Sequence, residues 1–88
     1  MAAFRARLGS VLIEIYDVDH GPAHCHVSGL PRGLRVRVDL YTLQVVKPPG
    51  TRLPSRVKRH LVEIQIEMLT AWENVTSSDR GDSGEHGE

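Results

Sequence analysis

Three of the five histidines in this 88-residue chain, His20, His24 and His26, fall within seven residues. They stand in the run Asp17-Val18-Asp19-His20-Gly21-Pro22-Ala23-His24-Cys25-His26-Val27. Imidazole is the side chain best suited to moving protons near neutral pH and to binding transition metals. Two chemistries follow from the spacing. Residues two apart on a strand share a face and lie about 6–7 Å from one another, so His24 and His26 can act on one group. One imidazole would take the proton of a 2′-hydroxyl and the other would protonate the leaving oxygen. Arg35 or Arg37 would neutralise the charge growing on phosphorus. Alternatively, His20, His24 and His26 hold one divalent transition metal such as zinc, with Asp19 as a further ligand or as a partner to a ligand. A plain structural reading stands beside both. Asp19-His20 can cap the Gly21-Pro22 turn, and the two strand histidines can be ordinary exposed residues. Whether the chain is an enzyme is left open by these residues. Cys25 reads as a small buried hydrophobe rather than a nucleophile.

The elements that must position these residues are legible from periodicity. Val11 to Tyr16 alternates, with Val11, Ile13 and Ile15 on one face and Leu12, Glu14 and Tyr16 on the other. Gly21-Pro22 marks a turn. His24 to Val27 reads as a second strand, Cys25 and Val27 facing the core and the two histidines facing away. After a Gly- and Pro-rich loop, Leu34 to Leu40 alternates again, and Arg35 and Arg37 leave the core. A fourth strand spans about Leu43 to Lys47. Short connections favour an antiparallel meander, whose open face would display Glu14, Tyr16, His24, His26, Arg35 and Arg37, with Asp19 and His20 at its rim. From Arg56 to about Asn74 the period is helical, with Val57, Leu61, Ile64, Met68 and Trp72 in one stripe. Arg59 and Glu63, four apart, are placed to pair. The expected fold is α+β: an antiparallel sheet of about four strands with one C-terminal helix on one face. Residues 1–75 form the single domain, and the aperiodic acidic segment 76–88 is expected to be disordered.

Net charge is zero but unevenly placed. Residues 1–60 hold ten Lys or Arg against four Asp or Glu, and residues 61–88 hold one Arg against seven acids. A basic body favours anionic partners such as RNA or DNA. Arg52, Arg56, Lys58, Arg59 and His60 crowd the start of the helix, where the backbone dipole disfavours positive charge. A bound phosphate or acidic partner would relieve that, so Arg56 and Arg59 join Arg35 and Arg37 as candidate nucleic-acid or anion contacts. The single cysteine suits a reducing, cytoplasmic setting. The apolar run Val11-Leu12-Ile13 is too short for a signal-peptide core or a membrane span. The arginine-bearing, acid-free start also fits a transit peptide. So small a core leaves room for a homodimer.

These residues resemble the small bacterial proteins grouped as domain of unknown function 4160. The matching positions are Ile13 to Tyr16, Asp19-His20, Pro22, His24, His26-Val27, Asp39-Leu40, Leu53-Pro54 and Arg56, with Glu63 and Trp72 further along. Ala23 and Cys25 depart from that family's proline and phenylalanine. The resemblance implies a compact sheet-plus-helix protein and a component of a toxin–antitoxin-like pair, encoded beside a small cognate protein. Alternative roles are a non-enzymatic protein-interaction module and a small His-based metal-binding protein.

Overall fold

The structure is a computed structural model and describes residues 2–16 and 21–86. Five strands form one antiparallel sheet in the order β1 (Ala2–Leu8), β2 (Val11–Tyr16), β3 (His24–Ser28), β4 (Val36–Asp39) and β5 (Val45–Lys47). Among the described residues one α-helix, α1 (Ser55–His86), follows and lies nearest β1 and β2, and a short 3-10 turn at Pro31–Gly33 joins β3 to β4. The meander and the C-terminal helix are as the periodicity predicts. The strand number is five rather than about four. The extra strand is β1, in the stretch that also fits a transit peptide. Phe4, Ala6 and Leu8 pack against the core while Arg5 and Arg7 are exposed, so this stretch alternates like the others. Its alanines, poor strand formers, mask the pattern.

The core is the helix-facing side of the sheet. Val11, Ile13, Ile15, Cys25, Val27, Val36 and Val38 meet Val57, Leu61, Ile64, Met68 and Trp72 of α1. Burying each aliphatic side chain contributes about 1.5–3 kcal/mol. The Pro54 carbonyl accepts the Val57 and Lys58 N–H groups at 3.0 and 3.1 Å and so starts the helix. Gln65 Nε2 donates to the carbonyls of Leu40 and Tyr41, at 2.7 and 3.1 Å, and ties α1 to the β4–β5 turn. Glu63 pairs with His60, at 3.4 Å, rather than with Arg59. The apolar stripe stops at Trp72, whereas the helical backbone runs on to His86. Residues 87 and 88 and the side chains beyond Val75 lie outside the described residues.

Two turns fix the sheet. Between β4 and β5, the Asp39 carboxylate accepts the N–H groups of Tyr41 and Thr42 at 2.7 and 2.9 Å. Leu43 there adopts a φ of 59°, a conformation costly for a branched side chain, and its N–H reaches the Asp39 carbonyl at 2.7 Å. This turn trims the fourth predicted strand to three residues. At the end of β3, Gly29 has a φ of 75°, and a Cβ there would run into the Ser10 carbonyl of the β1–β2 turn.

Candidate functional site

The face of the sheet turned away from α1 carries the residues that chemistry requires. Strand register assembles them into a row. Arg5 lies opposite Glu14, Glu14 opposite His26, His26 opposite Arg37, and Arg37 opposite Lys47. Strands about 4.8 Å apart make this row about 19 Å long. Side chains directly opposite one another have Cβ atoms about 4.5–5.5 Å apart, within mutual reach. Arg7 shares the face, opposite Leu12. Arg35 is exposed one residue ahead of β4.

Glu14 is the buried charge of this face, only 7% exposed. Its carboxylate accepts hydrogen bonds from Arg5 Nε and Nη2, at 3.1 and 2.8 Å, and from the Tyr16 hydroxyl at 3.0 Å. Burial by itself raises its pKa. The hydrogen bonds from Tyr16 and Arg5, with the positive charges of Arg5 and His26, outweigh burial and hold the carboxyl below its ordinary value. Glu14 therefore stays ionised and engaged by Arg5. Among the described residues no carboxylate bridges Arg37 or Lys47, so the row is cationic from His26 outward.

The two strand histidines differ. His26 is half-buried, its ring 4.7 Å from that of Tyr16 and tilted by 43°. His24 is 6% exposed. Its ring meets His26 edge-on at 4.9 Å and the Trp72 indole at 5.2 Å. Its Nδ1 lies 2.8 Å from the Pro22 carbonyl. A carbonyl only accepts, so Nδ1 carries the proton and a neutral His24 is left with Nε2 as its lone-pair nitrogen. The expectation that both imidazoles face solvent is thus corrected for His24. Strand parity sets its side of the sheet, but the indole closes over the start of β3 and covers it.

His20 and Asp19, expected at the rim as catalytic or metal-binding residues, lie outside the described residues. Among the described residues no group of three His, Cys, Asp or Glu side chains is placed to hold a metal ion. Of the proposed ligands, the described residues include only His24 and His26, which supply two nitrogen donors where a structural zinc site takes four ligands. Cys25 is fully buried, and burial pushes its thiol up to about 12, which leaves it without nucleophilic character.

The four candidate anion contacts separate into two groups. Arg35 and Arg37 belong to the β4 side of the open face. Arg56 and Arg59 are exposed on α1, in the layer on the other side of the sheet, and Arg56 approaches the β1–β2 turn at Gly9. Arg5 and Lys47 also belong to the row, although they lie outside the histidine motif. The alternation of Arg5 and Arg7 with Phe4, Ala6 and Leu8 was the available signal for the first. A cleft of about 670 Å³ between the β4–β5 turn and the start of α1 is lined by Leu43, Thr51, Arg52 and Lys58 among others. No residue of the His/Arg row lines it.

No described helix is long and apolar enough to cross a membrane. No family model matches the chain, and no curated protein or solved structure is significantly similar to it.

Proposed function

We propose that this protein binds single-stranded nucleic acid on the open face of its sheet. The observation that carries this reading is the cross-strand row Arg5–Glu14–His26–Arg37–Lys47 with the Tyr16 ring against His26. Single strands are held by aromatic rings on which bases stack, flanked by cations that meet phosphates. His26 and Tyr16 supply the rings. Arg37 and Lys47, with Arg35 beside them, supply the cations. Arg5 engages the carboxylate of Glu14 and limits its repulsion of a phosphate.

Binding is favoured over cleavage by one feature. Two-imidazole cleavage needs both rings at the phosphodiester, and His24 is 6% exposed beneath Trp72. His24 instead buttresses His26. Arg56 and Arg59 belong to the opposite layer and are not part of this interface. The resemblance to the domain of unknown function 4160 proteins supports a role as the nucleic-acid-binding member of a toxin–antitoxin-like pair. Fluorescence anisotropy with a short labelled single-stranded RNA tests the reading. Binding at low salt that Arg37→Glu weakens at least tenfold is expected. Binding that is absent at low salt, or unchanged by Arg37→Glu, would reject it.

A further inference from the structure

The cleft between the β4–β5 turn and the start of α1 is not used by the open sheet face. Its volume of about 670 Å³ is that of a small-molecule site. Four aliphatic side chains, Leu43, Val45, Leu53 and Val62, line it, and no aromatic ring does. Leu43, Val45 and Leu53 are half-buried and packed on the core, which anchors them. The Asp39 turn also holds Leu43 at its φ of 59°, so this part of the lining is set before anything binds. Val62 lines the cleft from α1 and is 62% exposed.

Charge selects the rest of the ligand. Arg52 and Lys58 line the cleft and are exposed, and no acidic residue lines it. Among the described residues neither cation has a carboxylate partner. Thr42 Oγ1, also in the lining, accepts the Gln44 N–H at 3.2 Å and keeps its own O–H to donate. We infer that the cleft binds a small amphiphilic anion, an aliphatic chain that ends in a phosphate or a carboxylate. The Arg52 guanidinium and the Lys58 ammonium meet the head group, the first through its fork of N–H donors. The chain lies against the aliphatic lining and covers Val62. A nucleotide is the poorer match, because the cleft offers no ring on which its base could stack. The site shares no residue with the His/Arg row, so it stands or falls independently of nucleic-acid binding.

Titration of the full chain with octyl phosphate, followed through its backbone amide NMR signals, tests the site. The amides of Leu43, Gln44, Thr51 and Lys58 should shift while those of β3 stay in place. Octanoate should move the same amides. Affinity should rise about threefold for each methylene added between butyl and octyl phosphate. Arg52→Glu and Lys58→Glu should each weaken binding about tenfold, with an unchanged circular-dichroism spectrum, because both side chains are exposed. Val62→Asp, at another exposed position, sets a negative charge in the cleft and should do the same. Cleft amides unmoved by millimolar octyl phosphate would overturn the inference. So would inorganic phosphate binding as tightly as octyl phosphate, since the aliphatic lining would then be idle. Shifts confined to β3 and β4, indifference to both charge reversals, or binding to anionic lipid vesicles without binding to the free amphiphile would overturn it too.

Discussion

His24 and His26, two residues apart on β3 with rings 4.9 Å apart, occupy opposite roles on one face. The first is capped by Trp72 and turned to the Pro22 carbonyl, and the second lies between Glu14 and Arg37 beside Tyr16. Substitution should separate them. His24→Ala empties a buried position and is expected to cost about 1–3 kcal/mol of stability, seen as a lowered Tm. His26→Ala should leave Tm nearly unchanged and weaken single-strand binding about tenfold, the loss expected for one stacked base. Equal effects of the two substitutions on both readouts would contradict this division.

Glu14 gives the fold a pH signature. Its folded pKa is held below the ordinary value of 4.5, so the unfolded chain binds the proton more readily. The stabilisation is fully present above the ordinary value and is lost as pH falls through the depressed one. Thermal melts between about pH 2 and 7 should show that acid limb in the native protein and a flatter one in Glu14→Gln. A variant with the same acid limb would mean that other carboxyls produce it.

Cys25 should be silent in the native state. A buried thiol pushed up to about 12 offers almost no thiolate at neutral pH. Iodoacetamide is expected to label the chain only in denaturant. Rapid labelling under native conditions would show that β3 opens.

Gly29 and Gly33 form a matched pair of tests. Both have positive φ, 75° and 68°, but a Cβ on Gly29 meets the Ser10 carbonyl whereas one on Gly33 meets nothing within 4 Å. Gly33→Ala should therefore cost only the backbone strain, about 1–2 kcal/mol. Gly29→Ala must also push the β1–β2 turn away from β3 and should cost more than about 3 kcal/mol. Urea melts decide it, and equal midpoints would refute the close approach.

Most of the scaffold could be read from period alone. The alternation around Val11–Tyr16, His24–Val27 and Val36–Asp39 gives three strands, and the helical stripe ends at Trp72 as expected. β1 was hidden because Ala2, Ala3 and Ala6 dilute its pattern. β5 was overextended because Asp39 and Leu43 build a turn from hydrogen bonds and a positive φ rather than from the usual glycine. Parity also places Glu14, Tyr16, His26 and Arg37 on the open face, where register sets Glu14, His26 and Arg37 side by side and the Tyr16 ring lies against His26. Parity says nothing about what folds over a strand's end, so the covering of His24 by Trp72 was out of its reach. That contact joins residues 48 positions apart. The separation of Arg56 and Arg59 from Arg37 is likewise a matter of layers, which a run of cations in sequence does not reveal.

The salt dependence of RNA affinity tests the central claim most directly. Each phosphate neutralised on a single strand contributes a slope of about −0.7 to log K against log salt. Removing Arg37 should make the native slope shallower by about 0.7, and removing Lys47 should do the same. Tyr16→Leu should lower affinity without altering the slope. The same slope in native protein, Arg37→Ala and Lys47→Ala would show that the strand does not meet this row, and would contradict the account.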